Sequence, residues 1–504
     1  MGELGIAAAV ARAPEHPAVV LGPTTRTFRE LDERSNGLAE TLARSGVEAG
    51  GRVAIMLPNC LEFFDAWLAV TKLDAFVVLV NWHLKADEVA WILDDSGAGV
   101  LVTTPELAAQ VGGALDGREV LVTGDAFERA ATSDAPAREA TVLASPVFYT
   151  SGTSGRPKGV VHGTPASQRG GDAARGQQIA TGQAMLWSWT DADVYLLSGP
   201  AYHAGPGGFA MTALAVGATT VILPEWDAAA WLRVASEHAV TISFMVPAHF
   251  IRLLELPEAA WRDADLSALR IIVHGGAPCP VSVKARILDA LVPGEVWELY
   301  GASEGGATRI SPDEWRARPG SVGLPWPGTE VRILDPTGQP LPTGETGLVY
   351  IAPAGGARFH YHDDEAKTAD AWRGDAFTVG DVGHVDADGY LYLTDRASDM
   401  VIRGGVNVYP REIEDVLFGH PAVVDCAVFG VPDDRLGERL AAVVEVREPV
   451  EPEVLRDFCR EHLADYKVPA TVEVVDELPR HPNGKVLKRL LREQAWAGRD
   501  TKIG

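Results

Sequence analysis

The amino-terminal part of the chain switches repeatedly between two hydrophobic periods, and this switching is what most restricts the fold. "TFRELDERSNGLAETLARSG" (27–46) spaces Leu31, Leu38 and Leu42 along one helix face and stops at a glycine. "RVAIMLPNC" (52–60) is a short apolar run that ends in a turn. "LEFFDAWLAVTKLDAFVVLVN" (61–81) predicts a helix and then a strand, and "ADEVAWILDDSGAGVLVT" (86–103) repeats helix, glycine turn and strand. Strands apolar on both faces must be covered on both sides, so the alternation predicts a layered α/β architecture.

The same order returns in "DVYLLSGPAYHAG" (193–205), "ATTVILPE" (218–225), "VTISFMVP" (240–247) and "LRIIVHGGAP" (269–278). Near residue 320 the texture changes. "SVGLPWPGTEVRILDPTGQPLPTGETGLVYI" (321–351) holds short strands punctuated by Pro and Gly, which predicts a β-rich subdomain. "DRASDMVIRGGVNVYPREIEDVLF" (395–418) then feeds a helix from about residue 410, with Pro410 in its first turn. A chain of 504 residues exceeds a single core. The expected organisation is a large multi-subdomain N-terminal domain with layered sheets and a β-rich subdomain, residues 1–395. A small mobile α+β C-terminal domain, residues 396–504, follows it.

With 44 basic against 69 acidic residues the formal charge is −25, which argues against broad nucleic-acid or anionic-membrane binding. The four cysteines lack metal-ligand spacing and are expected to be ordinary thiols. No charged start leads into an apolar signal segment and no apolar run is long enough for a membrane span, so a cytoplasmic protein without stable membrane insertion is expected. The basic stretch "GKVLKRLLREQAWAGR" (484–499) is consistent with a solvated helix.

"YTSGTSGRPKGVVH" (149–162) follows a buried strand with hydroxyls, glycines and a lysine. Glycine lets backbone approach a ligand, hydroxyl and N–H groups donate to phosphate oxygens, and Lys158 adds a cation. The order is not G-x-x-x-x-G-K-[ST], so the P-loop of NTPases is absent. From the residues alone, a phosphate contact and a structural glycine turn both remain open.

Together with the later motifs, this stretch resembles the phosphate loop of the adenylate-forming superfamily of acyl-CoA synthetases, luciferases and peptide-synthetase adenylation domains. The resemblance runs from "TFRELDERSNGLA" to "PNGKVLKRLLRE", with the motifs in the family's order. It implies that Thr150, Ser151, Gly152, Thr153, Ser154, Gly155 and Lys158 manage the outer phosphates of ATP. In "ELYGASEGG" (298–306), Glu304 takes the family's Mg2+ position, while Glu298, Tyr300, Gly301 and Ser303 line the nucleotide. Ser303 stands where a threonine is common and keeps a hydroxyl. By itself, Glu304 reads equally well as a solvated loop carboxylate.

"VHGGAPCP" (273–280) resembles the segment beside adenine and acyl group, which implies Gly275, Gly276, Ala277 and Pro278. "TVGD" (378–381) makes Asp381 the ribose ligand, a carboxylate able to accept two hydroxyl hydrogen bonds. Arg396 is its neighbouring ribose or phosphate contact; without the resemblance it reads as a surface pair. Lys485, in "HPNGKVLKR" (481–489), resembles the lysine that meets the carboxylate and α-phosphate during adenylation.

Tyr202 and His203, in "PAYHAG", resemble an aromatic or histidine gate at the acyl pocket, His203 orienting the carboxylate or guarding thiol access and not acting as general base. A buried histidine satisfied by backbone is the alternative. Trp187, Trp189, Phe209, Phe244 and Met245 are candidate pocket walls and equally ordinary core. Gly404 and Gly405 would let the pantetheine arm of CoA pass. Ser398 replaces the usual hinge aspartate or lysine, with 396–399 as the flexible junction.

The resemblance implies an AMP-forming acyl-CoA ligase using ATP, Mg2+ and CoA on an apolar, aryl or fatty carboxylic acid. The alternative is a standalone adenylating enzyme that serves a carrier-protein thiol, an amine or another small nucleophile. No carrier-domain serine motif follows within the chain. A homodimer is a further expectation.

Overall fold

The computed structural model describes residues 4–139, 143–151, 157–162, 173–433, 435–480 and 484–496. Two compact units account for the chain. One comprises Met1–Met245, Pro257–Val273 and Ala357–Asp370; the other comprises Val246–Leu256, His274–Gly356 and Ala371–Gly504.

The first unit carries a seven-stranded sheet ordered Phe359–Tyr361, Pro157–His162, Val147–Ser151, Phe76–Leu79, Arg52–Met56, Val100–Thr103, Glu119–Val122. From Val147–Ser151 onward the pairings are parallel, and the other edge turns back antiparallel. Strands such as Phe76–Leu79 and Val100–Thr103 are buried at every position, which explains why they read as unbroken apolar runs. A second, largely parallel run orders Ile242–Met245, Val194–Leu197, Thr219–Ile222 and Pro17–Leu21, closed by antiparallel Thr24–Thr27.

Helices follow the predicted periods. Phe28–Arg44 begins with a reciprocal capping box between Thr27 and Glu30 and buries Leu31, Leu38 and Leu42. The helix Ala204–Val216 is buried from Pro206 to Val216, as a helix apolar all round must be.

The second unit begins its β structure with antiparallel strands in the order Trp372–Arg373, Ala376–Phe377, Gly347–Ala352, Asp381–Val385, Leu391–Arg396, Ser321–Pro325, Gly305–Ile310, Glu295–Ala302. This is the β-rich region expected after residue 320. Beyond it lies a separate sheet: Val406–Val408, Val401–Arg403, Gly437–Val446 and Val423–Asp433, with Thr471–Val475 parallel to Gly437–Val446. Along Val423–Asp433 alternate residues face opposite ways. Cys426 and Val428 join the core under the helices Pro410–Leu417 and Pro452–His462, while Ala427 and Phe429 meet Leu478 and Leu491.

The basic stretch near the end does form a helix, Lys488–Trp496, but it is docked rather than merely solvated. Leu491 packs on the second face of this sheet, the Trp496 indole donates to the Gly430 carbonyl at 3.1 Å, and Lys488 pairs with Glu414 at 2.6 Å. All four cysteines are free thiols, as expected. Among the described residues no helix is long and apolar enough to cross a membrane.

Candidate active site

The second unit gathers the nucleotide candidates at the ends of its antiparallel strands. Tyr300 lies near the end of Glu295–Ala302, Asp381 opens Asp381–Val385, and Arg396 closes Leu391–Arg396 directly opposite Asp381 in register. The Tyr300 hydroxyl donates to Asp381 Oδ2 at 2.7 Å, and Arg396 Nε stands 3.4 Å from Oδ1. Burial, followed by the Asp381 charge, pushes the Tyr300 pKa well above the ordinary phenol value, so the group remains a donor. Gly380, just before Asp381, has φ 85°, a conformation glycine adopts without strain.

Lys485 completes this group. The protein crowded around its ammonium, then the like charge of Arg396, pushes its pKa down to about 8, against the pull of Asp399 and Asp381. The residue nevertheless keeps an exposed flank.

The 275–278 loop lies against the same strand. A Cβ on Gly275 would come within 2.5 Å of the Leu299 carbonyl, and Gly276 holds φ 79°. Ala277 is half-buried and Pro278 exposed. At Tyr300/Gly301 the register shifts, and Ser303 and Glu304 form the two-residue turn into Gly305–Ile310, both half-buried. A Mg2+ ion that travels with a triphosphate needs only one or two protein carboxylates, so the half-buried carboxylate of Glu304 suits it.

Glu298 has a different setting from the rest. Its carboxylate accepts from Lys284 at 3.1 Å, and Lys284 also contacts His274. Lys284 and His274 have no side-chain exposure, and burial followed by the Lys284 charge holds the His274 pKa far below the usual value. Glu298 is thus one corner of a buried polar cluster that props the strand behind Tyr300. Gly404 (φ 59°) and Gly405 (φ 83°) make the exposed hairpin turn between Val401–Arg403 and Val406–Val408, a turn that demands left-handed backbone at both positions.

Within the first unit, Lys158 pairs in register with Thr150, and its Nζ stands 4.9 Å from the centroid of the Tyr361 ring. Gly152, Thr153, Ser154 and Gly155 lie outside the described residues, and for Thr150 and Ser151 only the strand pairing is described. His203 caps the helix Ala204–Val216, its carbonyl accepting from Gly207 N at 2.9 Å, and its ring is 4.6 Å from that of Tyr202. The Tyr202 hydroxyl is buried without a hydrogen-bond partner among the described residues. The aromatic candidates form a cluster about Phe209, with Phe244 at 5.3 Å and Trp187 and Trp189 each at 6.1 Å. Phe244 also lies over Gly205, where a Cβ would stand 2.5 Å from its ring.

Several contributors escaped sequence reasoning. Arg252, Glu445 and Arg480 form a chain of ion pairs behind Lys485 (2.7 Å between the first two), and Lys284 holds Glu298. The available cue was a charged residue interrupting an apolar strand, as Glu445 does in "AAVVEV" (441–446).

The model for AMP-binding enzymes matches residues 6–360, and that for the AMP-binding enzyme C-terminal domain matches 412–485. Feruloyl-CoA synthase of Amycolatopsis sp is 35% identical over 503 residues, 96% of either chain. The fatty acid–[acyl-carrier-protein] ligase ScoC of Streptomyces coeruleorubidus is 32% identical over 505 residues, covering 97% of this chain and 95% of that one. The o-succinylbenzoate CoA synthetase of Bacillus subtilis, solved with its acyl-adenylate intermediate, superposes with a TM-score of 0.82 at 28% identity over 97% of both chains. The same enzyme solved with ATP and magnesium ion gives a TM-score of 0.82 at 28% identity, over 97% of this chain and 98% of that one.

Proposed function

Because this chain belongs to the AMP-binding enzyme family, close to its acyl-CoA ligases, we propose a division of labour among its residues for that family's two-step reaction. The enzyme is an AMP-forming acid–thiol ligase that uses ATP, Mg2+ and CoA. A carboxylate oxygen attacks the α-phosphorus of ATP, the bond to pyrophosphate breaks, and an acyl-adenylate forms. The CoA thiol then attacks the acyl carbon, and AMP leaves with the bridging oxygen.

In the first step Lys485 offsets charge at the carboxylate and α-phosphate, and Lys158 with residues 150–155 takes the outer phosphates. Asp381 accepts from the ribose hydroxyls, held in place by Tyr300 and Arg396. Gly276, Ala277, Pro278, Gly301 and Ser303 form the nucleotide wall. Glu304 is the residue that would hold Mg2+, whose charge offsets that of the phosphates when it is bound. Glu298 supports this wall through Lys284 rather than presenting a free carboxylate to the nucleotide. His203 gates the acyl side, and Gly404 and Gly405 give the pantetheine arm a path past the backbone. No residue is assigned as base for the thiol.

One observation carries this assignment: Tyr300, Asp381 and Arg396 are joined at 2.7 and 3.4 Å, with the depressed Lys485 cation beside them. Four groups far apart in sequence are held ready for a polyhydroxylated, anionic ligand. The similarity to a feruloyl-CoA synthase supports an aryl or cinnamoyl-like acid as first choice, with other apolar acids next. The residues 396–399 serve as hinge between 1–395 and 396–504, since the strand that ends at Arg396 and the one that starts at Val401 lie in different sheets. Homodimerisation and a cytoplasmic setting belong to the same proposal, the second supported by four free thiols.

A second acceptor reading has one specific support, the similarity to a ligase that charges an acyl carrier protein. A panel of cinnamic, benzoic and fatty acids with ATP and Mg2+, with and without CoA and followed by product mass, separates the two. Acyl-CoA from an aryl acid is the expected product. Adenylate that accumulates untouched by CoA shifts the assignment to another acceptor.

A further inference from the structure

Lys485 lies near the end of the chain and can act only if that segment is held against the nucleotide residues. Its neighbour Gly484 has φ +83°, and a Cβ there would stand 2.8 Å from Ala248 Cβ and 3.3 Å from Val246 Cγ2. The backbone beside Lys485 therefore rests on the first turn of the helix Pro247–Leu254. The Gly484 carbonyl accepts from Arg480 Nη1 at 3.0 Å. The other terminal nitrogen of Arg480 bonds to Asp425 and lies 3.8 Å from Glu445.

Glu445 is 5% exposed. One of its oxygens accepts from Arg252 Nη1 at 2.7 Å, and the other accepts from the Leu478 backbone N–H at 3.5 Å. Arg252 sits on the same helix as Ala248, one turn further on, with Glu255 at 3.3 Å as its exposed second partner. One helix thus grips the lysine-bearing segment twice, directly at Gly484 and through Arg252, Glu445 and Arg480. Without Arg252, the buried Glu445 carboxylate has only Arg480 to neutralise it, which draws Arg480 away from the Gly484 carbonyl.

We infer that Arg252, Glu445 and Arg480 are positioning residues, a latch that holds Lys485 in place for adenylate formation and takes no part in acyl transfer to the thiol. The inference rests on the role given to Lys485 above and adds the device that orients it.

The first test needs no substrate. Competitive acetylation of the whole enzyme with acetic anhydride across about pH 6 to 11, read by peptide mass, gives the midpoint of Lys485 reactivity. The wild-type midpoint is expected near 8. Arg252→Met should raise it toward the ordinary lysine value of about 10.4, and Arg252→Lys should stay near wild type. The second test splits the half-reactions with ferulate as probe. Pyrophosphate exchange in Arg252→Met should lose about 10- to 100-fold in kcat, the scale set by misplacing a reacting group by about an ångström. Transfer from synthetic feruloyl-adenylate to CoA should stay within about twofold. An unchanged Lys485 midpoint in folded Arg252→Met, or equal loss in both half-reactions, overturns the latch. Should Arg252→Met not fold, Glu445→Gln carries the same expectations. A shifted midpoint with exchange unchanged would uphold the contact but sink the inference, because the lysine's role itself would then be wrong.

Discussion

In the proposed site, Asp381 is the carboxylate that would meet the sugar. One oxygen is fixed by the Tyr300 hydroxyl and the other faces the Arg396 cation, so the group is oriented with lone pairs left for ligand hydroxyls. Tyr300→Phe removes a charge-assisted bond, and KM for ATP should rise about tenfold, the equivalent of ~1.4 kcal/mol, with a smaller effect on kcat. Lys485 makes a pH prediction whose sign follows from its charge. In its proposed role it works as a cation, which is present below its pKa and lost above, so kcat/KM for ATP should fall as pH rises through about 8. Lys485→Arg, slower because its shape differs, should lack that limb since a guanidinium stays charged; a limb kept near 8 in that variant would assign it to another group. Lysine 284 tests the buried cluster. Lys284→Met strands the Glu298 carboxylate and should cost about 3–5 kcal/mol in urea unfolding. Motif order marked Lys485, Asp381 and Arg396 as candidates in the sequence, and strand pairing sets Asp381 opposite Arg396. The Tyr300–Asp381 bond was not legible there, because its partners are 81 positions apart and meet only through sheet pairing. Glu298 reads in sequence as a nucleotide contact because nothing there reveals that Lys284, fourteen residues earlier, is buried beside it.

At the scale of elements, periodicity carried most of the information. Strands buried on both faces, such as Arg52–Met56 and Val100–Thr103, and the amphipathic helix between residues 28 and 44 are where their patterns put them. The pattern does not say how closely two helices approach. Gly37 faces the end of the helix Asp125–Ala131, and a Cβ would sit 2.2 Å from the Ala130 carbonyl oxygen, backbone that cannot turn aside. Gly37→Ala should therefore destabilise by about 1–3 kcal/mol despite alanine's better helix propensity, and a Tm equal to or above wild type would contradict that contact. The last helix, Lys488–Trp496, shows the opposite limit. Its charges suggest a solvated rod, yet Leu491 and Trp496 anchor it, a tertiary effect that local composition does not encode.

For the whole molecule, the order of motifs announced the family and the two-step chemistry, while the compact units follow three-dimensional packing that sequence order hides. Residues 246–256 pack with the carboxy-terminal part of the chain although they lie well before it. That is why the grip of helix Pro247–Leu254 on the Lys485 segment had no sequence signal. If 396–399 is the hinge, Ser398→Pro, which fixes φ, should slow acyl transfer to CoA at least tenfold more than pyrophosphate exchange; equal effects on both would remove the hinge from this junction. The central claim is that the acid is joined to the inner phosphate of ATP before any acceptor takes it. The most direct measurement uses the best acid of the panel with both carboxylate oxygens replaced by 18O, and reads the mass of the released nucleotide. AMP carrying one 18O per turnover is the predicted result; unlabelled AMP, or ADP in its place, would contradict the account.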